Sequence, residues 1–161
     1  MFNTPKIMYK GSTNAPLPIT LLYASDNAVA QGDFRAAVDN MSGNFKSAPL
    51  TAEYLVSKQQ PPPGTIIFVD CYYSDFTGYQ IIQFLKKSKL FFKIPIVVLS
   101  KINDYRTQET CWLLGADFYA VQPDSLQEFA LLLECLVKLD WPTRKRDKKE
   151  FIYSLKNKIT A

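Results

Sequence analysis

Thr65-Ile66-Ile67-Phe68-Val69-Asp70 is a short apolar run that ends abruptly on a carboxylate. Two similar runs follow: Ile96-Val97-Val98-Leu99 ends on Ser100, and Phe118-Tyr119-Ala120-Val121 ends on Gln122-Pro123. Continuous apolar runs of this length are typical of parallel strands buried on both faces. Because ligands of open α/β sheets bind at the carboxyl ends of such strands, we expect Asp70, Ser100 and Gln122 to lie side by side at one edge of a sheet.

Strand and helix patterns alternate along the rest of the chain. Residues 19–24 and, more weakly, 45–48 predict two earlier strands, and apolar residues at helical spacing follow residue 28, Gly78 and Asp104 and fill 126–137. Thr51 has the position of an N-cap for a short helix. This order predicts an α/β fold, a three-layer αβα sandwich around a five-stranded parallel sheet.

Composition restricts the class of protein. The chain has 161 residues, 47% of them hydrophobic, enough for one domain with a full core. It contains no apolar run near the ~20 residues of a membrane span, and its first residues lack a secretory signal, so we expect a cytoplasmic protein. The three cysteines are widely spaced and predict reduced, buried thiols. Histidine is absent, which excludes Ser-His and Cys-His hydrolysis.

Charge and composition divide the chain into three parts. Residues 1–17 form a leader with scattered proline and glycine, residues 18–139 form the domain, and residues 140–161 form a basic tail. From Pro142 onward the tail carries seven basic and two acidic residues, whereas the rest of the chain has a net charge of −1. The tail fits a solvated terminal segment better than an arm that binds nucleic acid.

Several residues stand at the same spacings as in one known family. Relative to Asp70, the chain has a glycine eight residues later at Gly78, a serine thirty later at Ser100, and Gln122-Pro123 fifty-two later. Gly-Ala-Asp-Phe-Tyr, ending at Tyr119, precedes the end of the last apolar run. In these features residues 18–139 resemble the stand-alone, CheY-like receiver domain of bacterial two-component response regulators. The resemblance implies the flavodoxin-like strand order 2-1-3-4-5.

The resemblance assigns Asp70 as the phosphoacceptor and as a ligand of a weakly bound Mg²⁺. Aligning the first helix so that its apolar residues face inward places Ser25 and Asp26 where the family has an acidic pair. Asp26, Asp70 and the backbone carbonyl of Tyr72 would then form a partial metal site. Asp26 fits the N-cap of the first helix equally well.

The same resemblance assigns the remaining site residues. Ser100 would contact the phosphoryl group, although it also fits a turn serine, and Tyr119 would be the switching aromatic. Gly78 and Pro123 would be structural. Gln122 replaces the family's lysine, and an amide cannot neutralise phosphoryl charge, so we expect weakened phosphorylation. Lys101 is expected to point to the opposite face of its strand and so not to substitute for that lysine.

These features predict a single-domain receiver that acts in a two-component phosphorelay with a sensor histidine kinase or another signalling protein, and not an enzyme. The alternative is a phosphorylation-independent pseudo-receiver that docks a partner protein. A flavodoxin-like enzyme fits less well, because Ser25-Asp26-Asn27 would repel a cofactor phosphate. A nucleic-acid-associated protein would depend on the basic tail alone.

Overall fold

A computed structural model describes residues 17–71 and 77–156. Within these residues six strands form one sheet: β1 Ile19–Ala24, β2 Phe45–Pro49, β3 Ile66–Asp70, β4 Ile96–Ser100, β5 Phe118–Val121 and β6 Ile152–Tyr153. The helices are α1 Ala28–Asp39, α2 Ala52–Val56, α3 Thr77–Lys87, α4 Tyr105–Leu114 and α5 Leu126–Val137, and a 3₁₀ turn spans Lys148–Glu150. No helix among the described residues is long and apolar enough to cross a membrane.

The strands pair in the order β2-β1-β3-β4-β5-β6, and every neighbouring pair is parallel. The predicted sandwich and its strand order 2-1-3-4-5 are therefore confirmed. The predicted number of five strands is corrected to six, because part of the segment expected to be a basic tail pairs with β5.

The sixth strand forms because the basic segment carries apolar residues at every second position. Phe151, Tyr153 and Leu155 are all buried, whereas Ile152 between them is exposed. The backbone amide of Tyr119 donates to the carbonyl of Phe151 at 2.8 Å, which starts the pairing with β5. This alternation has the period of a strand with one buried face.

Helix ends follow the local chemistry of the sequence. Thr51, Asp104 and Ser125 cap the starts of α2, α4 and α5 with their side-chain oxygens, each of which accepts a backbone N–H. Gly115 ends α4 with φ +106°, a left-handed conformation that favours glycine. The N-cap of α1 is Asn27, so the interpretation of Asp26 as that cap is wrong.

Two apolar cores lie on opposite faces of the sheet. Helices α1 and α5 cover one face, where Phe34 stacks on Tyr23 with ring centroids 4.5 Å apart and Phe129 packs against Phe34 edge-on. Helices α2, α3 and α4 cover the other face, which includes Ile82 and Cys111. Because helices cover both faces of the sheet, a ligand can approach polar groups of the sheet at the ends of the strands.

Candidate functional site

The carboxyl edge of the sheet carries a cleft that brings together three residues singled out by the sequence. Parallel pairing sets Asp70 beside Leu99, so that Asp70 and Ser100 end neighbouring strands. Asp70, Ser100 and Gln122 all line one cleft with a volume of about 310 Å³. Its other lining residues are Tyr23, Asn27, Val29, Ala30, Asp33, Leu99, Lys101 and Ile102.

The Asp70 carboxylate is held by the chain that follows β1. The Ser25 hydroxyl donates to Asp70 Oδ2 at 3.0 Å and accepts the backbone N–H of Asn27 at 3.1 Å. The side-chain amide of Gln31 donates to the carbonyl of Ser25. These contacts fix both the position of Ser25 and the orientation of the Asp70 carboxylate.

Tyr23 lies in the cleft beside Asp70, and the sequence analysis missed it. Its side chain is buried, and burial, followed by the negative charge of Asp70, raises the pKa of its phenol well above the usual range. The phenol therefore stays protonated near neutral pH. A tyrosine near the end of an otherwise aliphatic strand was the available signal, because it places a hydroxyl beside the predicted edge.

The two acidic residues near the start of α1 differ in position. Both residues are exposed, but Asp26 is not part of the cleft lining, whereas Asp33 lines the cleft from the second turn of the helix. The expected inner face of α1 is nevertheless correct, since Phe34, Ala37 and Val38 are its buried residues. Asp33 lies at the border of that face, which the apolar pattern alone does not reveal.

Ser100 and Tyr119 share one backbone partner. Ser100 Oγ accepts the backbone N–H of Ile102 at 3.0 Å and donates to the carbonyl oxygen of Ile102 at 3.3 Å. Ser100 is therefore the turn serine that the sequence also allowed. The Tyr119 hydroxyl donates to that same carbonyl at 2.6 Å. Tyr119 is fully buried, and burial raises its pKa to about 12. The loop after β4 thus links the cleft to the core.

Gln122 and Lys101 both line the cleft, at the ends of neighbouring strands. The backbone amide of Gln122 donates to the carbonyl of Ser100 at 2.9 Å, which sets Gln122 beside the end of β4. Pro123 follows directly and separates β5 from the cap of α5. The expectation that Lys101 faces away from the cleft is wrong.

The start of α3 packs closely against the residues at the end of β3. A Cβ atom placed on Gly78 would lie 2.7 Å from the carbonyl oxygen of Asp70 and 2.8 Å from Cys71 Cα.

Cys71 and Cys111 are buried as predicted, with their sulfur atoms 3.5 Å apart, whereas Cys135 is only partly buried. The hydrogen bond with Cys111 and burial raise the pKa of Cys71, which disfavours the reactive thiolate. Tyr72 lies outside the described residues.

Replacing Gly78 with alanine is expected to lower the free energy of unfolding by about 1–3 kcal/mol, because the new methyl group meets backbone atoms that cannot rotate away. Gly32 in α1 is the matched control, since a Cβ there meets nothing within 4 Å. Gly32→Ala should stabilise the protein by roughly 0.5–1 kcal/mol. Urea denaturation of the two variants measures both effects, and equal stability would contradict the close approach at Gly78.

Comparison with solved structures identifies the architecture. A response regulator receiver domain from Rhodospirillum rubrum superposes with a TM-score of 0.62 at 19% sequence identity, covering 81% of this chain and 98% of that one. The receiver domain of a sensor histidine kinase from Pseudomonas aeruginosa, with a magnesium ion in its active-site cleft, gives 0.59 at 18% identity, covering 76% and 99%. The chain has the receiver fold.

The sequence is also similar to parts of curated regulatory proteins. A two-component response regulator of Arabidopsis thaliana is 27% identical over 75 residues, 47% of this chain and 40% of that protein. A probable transcriptional regulator of Galdieria sulphuraria is 28% identical over 88 residues, 55% of this chain and 32% of that protein. The aligned region thus spans less than half the length of these curated relatives. No family model matches the chain.

The oxygen donors in this cleft fit a divalent cation held by few protein ligands. Asp70 and Asp33 both line the cleft, and the hydroxyl of Ser25 lies beside Asp70. Among residues 17–71 and 77–156, no three acidic, cysteine or histidine side chains form a metal-binding group. Mg²⁺ commonly binds one or two carboxylates and keeps several waters. These oxygens therefore suit Mg²⁺ better than a metal ion whose ligands must all come from the protein.

Proposed function

We propose that the chain is a receiver of two-component signalling in which Asp70 accepts a phosphoryl group from a sensor histidine kinase or a related phosphodonor. The observation that carries the proposal is the convergence of Asp70, Ser100 and Gln122 on one cleft of a receiver fold. The similarity to response regulators supports the same class. Because response regulators are among the similar proteins, we propose a signalling role and not catalytic turnover.

In the proposed transfer, an oxygen of the Asp70 carboxylate forms a bond to phosphorus as the bond from phosphorus to the donor nitrogen or oxygen breaks. Ser25 orients the carboxylate through its hydrogen bond to Oδ2. A Mg²⁺ held in this cleft would supply positive charge to the phosphoryl oxygens. Asp70 would hold it with an acidic residue of the first helix region, either Asp26 or Asp33, and with the carbonyl of Tyr72.

Ser100 provides a route by which the phosphoryl group acts on the rest of the domain. Its hydroxyl is engaged by the backbone of Ile102, whose carbonyl also accepts the hydrogen bond of Tyr119. If the hydroxyl turns to donate to a phosphoryl oxygen, its contacts with Ile102 break and the loop after β4 rearranges. Tyr119 loses or changes its partner as a result, which makes it the proposed switching aromatic.

Beryllofluoride with Mg²⁺, a phosphoryl mimic, tests the proposal in the full chain. We expect amide NMR shifts in the loops after β3 and β4 and at Tyr119. We expect Asp70→Asn to abolish them, because a neutral amide does not provide the anionic oxygen that bonds beryllium. The matched control is Asp124→Asn, an exposed carboxylate just after Pro123. A wild-type protein that shows no response at high Mg²⁺, or a response that survives Asp70→Asn, would contradict the proposal.

Two further variants distinguish the candidate metal ligands in the same assay. Asp33→Asn should raise the Mg²⁺ concentration needed for the response if the carboxylate in the cleft binds the ion. Asp26→Asn should do so if the carboxylate outside the cleft lining binds the ion instead.

Gln122 favours a second candidate function, a pseudo-receiver that docks a partner without phosphorylation. The cleft lacks the lysine that the family pattern places at this position, and an amide stabilises phosphoryl charge only through neutral hydrogen bonds. The two functions separate in the beryllofluoride experiment, because a pseudo-receiver would not respond.

A further inference from the structure

Lys101 lies in the cleft because β4 ends one residue before it. Ser100 is the last residue of the strand, and its hydroxyl accepts the N–H of Ile102, which bends the backbone in a serine turn. Alternation of side chains between the two faces holds only while the strand continues. The turn therefore places Lys101 on the cleft side, together with Asp70 and Gln122.

The charge of Lys101 is not used by the rest of the described chain. The two ion pairs found among residues 17–71 and 77–156 join Arg144 to Glu150 and Lys148 to Glu109, away from the cleft. Lys101 is exposed and is the one basic residue in the described lining of the cleft, which also holds the carboxylates Asp33 and Asp70. Among the described residues that line the cleft, Lys101 is thus the one cation available to an anion bound next to Asp70.

We propose that Lys101 is the cationic contact for the phosphoryl group or phosphate-like anion bound at Asp70. It would supply from the end of β4 the charge that Gln122 does not supply from the end of β5. This inference rests on the proposed function and adds one binding residue to it.

An exposed lysine on a turn should act differently from a preorganised buried one. A charge-assisted hydrogen bond is about twice as strong as a neutral one, but an exposed charge is screened by salt, over a Debye length of about 10 Å at 0.1 M and 3 Å at 1 M. We therefore expect the Lys101 contact to favour anion binding by roughly tenfold at low salt, and to weaken as the salt concentration rises.

Titration of the full chain with beryllofluoride at saturating Mg²⁺, at low salt and near 1 M salt, tests this role. Lys101→Ala should raise the half-saturating concentration about tenfold at low salt and should reduce the dependence on salt, while Lys101→Arg should stay close to wild type. Lys93→Ala is the matched control, since Lys93 is an exposed lysine at the opposite edge of the sheet. Gln122→Lys should restore tight binding to Lys101→Ala.

The outcomes separate this inference from the proposed function. If wild type responds, Asp70→Asn does not, and Lys101→Ala binds as tightly as wild type at both salt concentrations, Lys101 has no role and the proposed function stands. If Lys93→Ala weakens binding as much as Lys101→Ala, the effect is one of overall charge and the inference is overturned. Absence of any wild-type response overturns both.

Discussion

Replacing Gln122 with lysine is expected to accelerate phosphorylation of Asp70 by a small acyl phosphate by roughly 10²–10³-fold. Gln122 lines the cleft from the end of β5, next to the end of β4. A longer cationic side chain at this position would therefore share the cleft with Asp70 and Ser100. A lysine brings a full positive charge toward the oxygens on which negative charge gathers during transfer. The glutamine amide provides a neutral hydrogen bond in the same place.

The time course of phosphorylation, followed by intact-protein mass spectrometry with Mg²⁺ present, measures this effect. Gln122→Met is the matched control, because it has a similar size without charge or a hydrogen-bond donor, and it should be no faster than wild type. Gln122→Lys/Asp70→Asn should remain unmodified, which assigns the modification to Asp70. Equal rates for wild type and Gln122→Lys would show that charge at this position does not limit the transfer.

The sequence predicted the central strands well because their burial leaves a simple pattern. Strands β3, β4 and β5 are covered on both faces. The sequence of each is therefore an unbroken apolar run that ends where the chain leaves the core. The residues that stop these runs are Asp70, Ser100 and Gln122, and parallel pairing then brings them to one edge. The convergence at the cleft thus follows from strand ends and direction alone.

Other parts of the site depend on features that a linear pattern does not contain. Lys101 was assigned to the wrong face because alternation was extended past the end of β4, where the Ser100 turn interrupts it. Asp33 was not assigned to the site, because an apolar helical stripe marks the buried face of a helix and does not identify the residues at its border. Tyr23 was missed although the sequence contains a signal for it: its aromatic ring fits the apolar pattern of β1, so the hydroxyl near the end of that strand was overlooked.

The sixth strand was missed for a related reason. It is two residues long, and the segment around it is dominated by lysine and arginine. A prediction from composition is dominated by those charges and misses the apolar side chains at alternate positions, Phe151, Tyr153 and Leu155. The tail therefore contributes to the core of the described domain as well as carrying charge.

Deleting residues 144–161 is expected to prevent the domain from folding stably. The deletion removes the buried side chains of Phe151, Tyr153 and Leu155, and burying one large apolar side chain contributes about 1.5–3 kcal/mol. A whole domain is stable by only about 5–15 kcal/mol. The deletion also exposes the edge of β5, whose unpaired backbone groups favour aggregation.

A point substitution tests the same packing without removing charge. Phe151 packs edge-on against Trp112, with ring centroids 5.3 Å apart, and Phe151→Ala should lower the free energy of unfolding by about 3–5 kcal/mol. The matched control is Lys145→Ala, because Lys145 is exposed in the same segment. Thermal and urea denaturation measure both, and a truncated chain that unfolds cooperatively near the wild-type temperature would contradict a structural role for β6.

The contacts of Arg144 and Arg146 also support a structural role for this segment. The guanidinium of Arg146 lies 3.9 Å from the ring centroid of Trp112, and its Nε donates to the carbonyl of Ala116 at 2.8 Å. Arg144 lies 4.4 Å from the ring centroid of Phe118 and pairs with Glu150. A nucleic acid that recruited these two arginines would have to break the contacts that hold the segment against β5. We therefore expect Arg146→Ala to reduce stability, which a purely solvated binding arm would not do.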